Sequence, residues 1–285
     1  MRLAVLGMGS MGRAFAGRAL SGGHDVVVWN RSPGRADDLV ARGAVEAPSV
    51  AAAVAECDVA LVVLADDEAV LGVCTGEGGA VSALAPGATL AVVSTVAPAT
   101  VRQLADAGPE RHVIDSPVMG APAAIADGKG SFLVGGPQSV VDDLAPLWSS
   151  LGAGYTWCGE VGSGATMKLV SNLLLITGVS ALAEGIATAR AHGIPDQLLQ
   201  DVLGRSFVLS DASKVRLGSL LDSSHPGWFT ALLARKDVRL AVGLAREAGV
   251  EVRIGPATEQ LLTTTVDRQV PWPDFTSVVE ALTPE

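Results

Sequence analysis

Six residues, Gly7-Met8-Gly9-Ser10-Met11-Gly12, constrain this chain more than any others. They come directly after the apolar run Leu3-Ala4-Val5-Leu6 and open a segment with helical spacing, so they mark a tight strand-to-helix turn. In such a turn the backbone can approach a pyrophosphate, and the amides at the helix start face its negative charge. Any glycine-rich βα turn shares the pattern; the strand before it and the helix after it are what select a dinucleotide site.

The rest of the first half keeps this rhythm. The short runs LAVLG, DVVVWN, DVALVVLA and ATLAVVS alternate with segments that predict helices over 10–21 and 33–42. Near-continuous apolar strands between helices imply a parallel sheet covered on both faces. HVIDSP, SFLVGG and YTWCG extend the sheet, with one helix predicted over 137–150. Beyond Gly159 the rhythm changes. Residues 164–192 read as one helix, about 40 Å long at 1.5 Å per residue, and everything after it has helical spacing. The expectation is an α/β chain in two domains: a doubly wound sheet over 1–161, then an all-helical domain over 162–285 that begins with the long helix. A chain of 285 residues is long enough for both. Hydrophobic residues make up 49% and aromatics only 4%, so small and aliphatic side chains must build the core.

Several function classes are excluded. A net charge of −10 offers no footprint for a polyanion, so nucleic acid is not expected as a partner. Cys57, Cys74 and Cys158 lack metal spacing and are odd in number, which argues against a disulfide framework and a zinc site and for a reducing compartment. Residues 2–6 read as a strand with no basic region before them, so a secretory signal is not expected. The apolar stretch Leu169–Ala183 is interrupted by polar residues and falls short of the roughly 20 residues of a membrane span, so a buried helix in a cytoplasmic protein is expected.

The second strand ends at Trp29, and Asn30 stands where an NAD enzyme carries an acidic residue for the ribose hydroxyls. Without that carboxylate a 2′-phosphate is not repelled. Arg31, with Ser32 and Arg35 nearby, can hold it by charge-assisted bonds. NADP is the expected cofactor; the alternative makes Asn30 and Arg31 ordinary turn residues and accepts NAD.

Lys168 and Asn172 stand four residues apart in an otherwise apolar helix, which puts them on one face. A lysine there can give a proton to a carbonyl oxygen, and the asparagine can hold a polar atom of the substrate. By spacing alone a solvated lysine and a bridging asparagine fit as well.

Six blocks in order carry a further signal: GMGSMG at 7–12, Ser94-Thr95-Val96-Ala97-Pro98, Asp115-Ser116-Pro117-Val118-Met119-Gly120, GSGATMKLVSN at 162–172, Lys236-Asp237-Val238-Arg239-Leu240-Ala241, and Asp274-Phe275-Thr276-Ser277. Together they resemble the β-hydroxyacid dehydrogenase family, which includes 3-hydroxyisobutyrate dehydrogenases and semialdehyde reductases. The resemblance implies a Rossmann domain, Lys168 as general acid and base, and Asn172 as its partner at the substrate. It places Leu64 and Ala65 beside the cofactor, with Ala65 where the family usually has proline. Thr95 falls on the nicotinamide side, Lys236 reaches the cofactor cleft, and Asp237 orients Lys236 or the neighbouring helix. Ser94, Met119, Gly120 and Ala121 fall at the substrate, but Met119 replaces the serine that grips a carboxylate in many relatives and makes the wall more apolar.

Phe207, Trp228 and Phe229 can line a cleft or pack in the core. His24, His112, His192 and His225 have neither ligand spacing nor a carboxylate partner at hand, and none is assigned to the site. The apolar long helix implies a partner subunit, and the resemblance a homodimer or homotetramer. The resulting expectation is hydride transfer between NADP(H) and a small β-hydroxy acid or semialdehyde, at a site between the domains. Its rivals are an imine reductase of the same fold, whose catalytic position usually carries Asp or Tyr rather than Lys, and a non-catalytic nucleotide-binding scaffold.

Overall fold

Strands form where the sequence alternates two buried faces. In Leu3-Ala4-Val5-Leu6, Leu3 and Val5 enter one hydrophobic cluster and Ala4 and Leu6 a second, on opposite sides of the sheet. The computed structural model describes residues 1–222, 224–268 and 274–282; the rest of the expected helical domain, residues 223, 269–273 and 283–285, lies outside the described residues.

The chain runs β1 (Arg2–Leu6), α1 (Ser10–Ser21), β2 (Asp25–Trp29), α2 (Asp37–Val40), β3 (Val45–Glu46), α3 (Val50–Val54), β4 (Val59–Val62), α4 (Asp67–Cys74), α5 (Ala80–Ala83), β5 (Thr89–Val92), α6 (Pro98–Ala107) and β6 (His112–Asp115). It continues through β7 (Val118–Met119), α7 (Pro122–Ala126), β8 (Ser131–Gly135), α8 (Gln138–Asp143), α9 (Ala145–Leu151) and β9 (Gly154–Gly159). The sheet order is β3-β2-β1-β4-β5-β6-β8-β7, with β9 beside β8. Strands β1 to β6 are parallel, and β8 is antiparallel to β6 and β7. The order reverses between β1 and β4, and in such sheets ligands bind outside the carboxyl ends of the strands at that point.

After β9 come α10 (Ser163–Ala191), α11 (Asp196–Leu203), α12 (Asp211–Leu221), α13 (Ala231–Glu247), α14 (Ile254–Asp267) and a 3₁₀ segment, Phe275–Leu282. Ile176, Val179, Ala183 and Ile186 of α10 join Val238, Leu262 and Phe275 in one core. The doubly wound sheet followed by an all-helical part is thus as expected among the described residues. Two compact units divide at Met1–Lys168 and Leu169–Glu285, so Lys168 groups with the sheet.

Two local expectations need correction. The helix expected over 33–42 shrinks to Asp37–Val40, because Gly34 takes a positive φ of 77° that ends the preceding turn. The helix expected over 137–150 is two helices; Pro146 opens the second and cannot donate to the carbonyl one turn back. The apolar run around residues 169–183 lies, as expected, in a core helix: α10 is 29 residues long, enough by length and composition to cross a membrane, and Ile176, Val179, Ala183 and Ile186 enter the core of the helical unit.

Candidate active site

Gly7 takes φ +105°, and a Cβ there would lie 2.3 Å from the Val63 carbonyl oxygen. A Cβ on Gly12 would lie 1.8 Å from the Gly7 carbonyl oxygen, so both positions are closed to any side chain. At Gly9 the space is open: nothing lies within 4 Å of its Cβ position. Gly9 precedes a helix with no side-chain cap and no acidic residue in its first turn, which leaves the first amides of α1 to an anionic ligand. These residues fit a dinucleotide pyrophosphate. Met8 is buried in the sheet's core, while Ser10 is exposed and Met11 half-buried.

The turn after β2 is tied to this loop. Asn30 accepts the Met8 amide through Oδ1 at 3.0 Å and donates through Nδ2 to the Ser32 carbonyl at 2.8 Å. Its amide therefore has a structural task. Arg31, Ser32 and Arg35 are exposed, and among the described residues neither arginine side chain has a hydrogen bond or ion pair. Arg13, which the sequence did not single out, holds the loop from α1 by donating to the Arg35 carbonyl and pairing with Asp38 at 2.8 Å. That guanidinium keeps the Asp38 carboxyl below its ordinary pKa.

At the ends of β4 and β5, Leu64 is half-buried and Ala65 exposed. Ser94 is buried; its hydroxyl accepts the Leu64 amide at 2.7 Å and donates to the Val62 carbonyl at 3.1 Å. The hydroxyl thus fastens one loop to the other. Thr95 follows it, half-buried. Met119, which closes β7, is 41% exposed; Gly120 is exposed and Ala121 half-buried.

Asp115 is the residue whose role sequence reasoning missed. It ends β6 with no exposure, and its two carboxylate oxygens accept the amides of Gly162 and Ala165 at 2.6 Å each. Helix α10, the carrier of Lys168, is bolted at its start to the sheet by one carboxylate. Room exists only because Gly135 and Gly164 flank it: a Cβ on either would lie 2.6 or 2.8 Å from a carboxylate oxygen. Burial pushes the carboxyl pKa up against the opposing pull of the amides. A lone acidic residue closing the otherwise apolar strand His-Val-Ile-Asp was the available signal.

Lys168 is half-buried, one turn past Ala165. In the helical unit Asn172 is buried and donates through Nδ2 to Asp237 Oδ2 at 2.6 Å, while Lys236 Nζ lies 2.9 Å from Asp237 Oδ1. Asp237 thus orients two predicted site residues, and its side chain is only 3% exposed. The Lys236–Asp237 pair is therefore not a solvated surface ion pair. Phe229 lies in the helical core edge-on to Phe275, Trp228 stacks on Phe229, and Phe207 is 95% exposed. One histidine expectation is corrected: His225 is buried, with Glu280 Oε1 3.1 Å from its Nε2. No group suited to a metal ion occurs among the described residues.

Two family models divide the chain. The NAD binding domain of 6-phosphogluconate dehydrogenase matches residues 2–159, and the NAD-binding domain of NADP-dependent 3-hydroxyisobutyrate dehydrogenase matches 162–282. Glyoxylate/succinic semialdehyde reductase 2, chloroplastic, of Arabidopsis thaliana is 32% identical over 284 residues, 98% of this chain and 79% of that protein. In fold, the chain matches Mycobacterium tuberculosis 3-hydroxyisobutyrate dehydrogenase, solved with L-serine, at TM-score 0.87 and 24% identity over 99% of both chains. It also matches the imine reductase from Myxococcus stipitatus in complex with NADP+, at TM-score 0.69 and 19% identity over 99% of this chain and 100% of that one. With the glycine loop, the strand-end loops and the Asp115-anchored helix in place, the chain belongs to the 3-hydroxyisobutyrate dehydrogenase family of NAD(P)-dependent dehydrogenases and reductases.

Proposed function

We propose that the protein reduces a small semialdehyde, or oxidises the corresponding β-hydroxy acid, with NADP(H) as cofactor and Lys168 as the proton-transferring group. The carrying observation is the placement of Lys168 one turn beyond the amides that Asp115 holds, on a helix starting at the carboxyl end of the sheet. Bound NADPH supplies the hydride to the carbonyl carbon. Lys168 gives its ammonium proton to the carbonyl oxygen, which leaves a neutral amine that solvent reprotonates. Asn172, one turn further along the same face, presents its amide to the substrate while Asp237 fixes its orientation.

NADP rather than NAD is supported by Asn30, whose amide serves Met8 and Ser32, and by the unengaged guanidinium groups of Arg31 and Arg35. Lys236 completes the cofactor side. The substrate class follows the name of the Arabidopsis relative, a glyoxylate/succinic semialdehyde reductase. One observation favours imine reduction instead: an exposed thioether, Met119, stands where a hydroxyl would grip a carboxylate. Lys168 favours the carbonyl reading. The protein is further read as a cytoplasmic homodimer or homotetramer.

The test follows NADPH absorbance with a panel of small semialdehydes, keto acids and cyclic imines. Turnover of semialdehydes supports the proposal. Imines as the preferred substrates would replace it, and NADPH binding without any turnover would favour a scaffold.

A further inference from the structure

Two loops follow β4 and β5, and each reaches across to hold the other. From the second loop, the Ser94 hydroxyl accepts the Leu64 amide of the first. From the first, Asp67 Oδ1 accepts the Ala97 amide at 2.8 Å and the Thr100 hydroxyl at 2.5 Å. Asp67 opens α4 but is not its cap, because Asp66 already accepts the Ala69 amide at 2.9 Å. Its carboxylate is directed at the other loop. Between the fastened positions Ser94 and Ala97 lie only Thr95 and Val96, and Val96 is buried. The pair of cross-links leaves this segment little freedom. A charge at the start of α4 would also favour the helix dipole, an effect of about 0.3–1 kcal/mol that requires neither the Ala97 amide nor the Thr100 hydroxyl.

We propose that Asp67 is a positioning residue for the reaction: with Ser94 it braces the loops after β4 and β5 into one unit and holds Thr95 in place at the nicotinamide end. This rests on the reading of the β5 end as the nicotinamide side. The acceptor oxygen matters, and the charge does not. Asp67→Asn keeps an acceptor for both donors, Asp67→Ala removes it, and Asp66→Ala removes the helix cap while leaving the brace.

The experiment uses the full chain and three readouts: hydrogen exchange of a peptide covering residues 93–101, the dissociation constant for NADPH by fluorescence, and kcat and KM with whichever carbonyl substrate the panel selects. Asp67→Ala should speed exchange at Thr95 to Ala97 by about 10-fold. It should also lower kcat by about 10-fold with NADPH affinity changed less than about 2-fold, the pattern of a misplaced contact rather than lost binding. Asp67→Asn should match wild type in all three, and Asp66→Ala should leave exchange at 95–97 unchanged. Wild-type exchange in Asp67→Ala overturns the brace. So does equal damage from Asp67→Asn, which would make the charge the cause. Faster exchange with unchanged kcat overturns the positioning role. If the wild-type chain turns over no carbonyl compound, the functional reading falls, while the exchange data still decide whether the brace exists.

Discussion

Replacing Asp115 by Asn keeps the shape of the side chain but turns one acceptor into a donor. One oxygen still accepts an amide. The new NH₂ group faces the other N–H at a position with no solvent exposure, where both bonds are now 2.6 Å. A charge-assisted bond worth about 1.5–3 kcal/mol is lost, and an orphaned buried N–H costs a further ~1–3 kcal/mol. Against this, the carboxylate's desolvation, the leading cause of its upward pKa shift, is relieved. The net expectation at neutral pH is about 2 kcal/mol, or a fall of about 6 °C in the thermal midpoint of the sheet unit at about 3 °C per kcal/mol. The pH dependence carries a sign. Because the folded-state pKa is raised above the ordinary value of about 4, the folded chain binds the proton more tightly than the unfolded one, and this group's contribution falls as pH rises between the two values. The wild-type advantage over Asp115→Asn should therefore be largest at the acid end of that interval and level off above it. Urea midpoints measured from about pH 4 upward check this. A variant as stable as wild type at neutral pH, with the same acid limb, would refute the account of the carboxylate as the anchor of α10.

Other outcomes follow from the same geometry. Arg31→Ala should raise KM for NADPH by about 10-fold or more and that for NADH little, by loss of a charge-assisted phosphate contact; equal effects would remove the 2′-phosphate role. Gly12→Ala should prevent native folding of the sheet unit, because its Cβ would overlap the Gly7 carbonyl, whereas Gly9→Ala should fold and bind NADPH weakly; circular dichroism and fluorescence titration separate the two. Cys57 and Cys74, whose thiols burial pushes up to about 11 and about 12, should resist an aromatic disulfide reagent at pH near 8 while the chain is native and react once it is unfolded.

The fold was legible because its signals are local and repeated: β-branched runs, a glycine turn and a long apolar helix. Helix ends were less so. Gly34 and Pro146 stood in the sequence as warnings, yet periodicity alone carried both predictions through them. At the site, Lys168 and Asn172 stood out because charged or amide side chains on an apolar helix are conspicuous, whereas Lys236 entered only through the family resemblance. Asp115, Asp67 and Arg13 did not, since their partners are backbone amides, a carbonyl and a carboxylate far along the chain, and no spacing within one element encodes such a bond. Ser94 was read as a substrate contact, and its hydroxyl is bonded to the backbone at Val62 and Leu64.

In the proposed reaction the Lys168 ammonium is the proton source for hydride transfer. This role is tested most directly by the single-turnover rate of NADPH oxidation with a semialdehyde, in wild type and in Lys168→Ala, with NADPH affinity measured alongside. The rate should fall by about 10²-fold or more with cofactor affinity nearly unchanged. A variant that transfers hydride at the wild-type rate would contradict it.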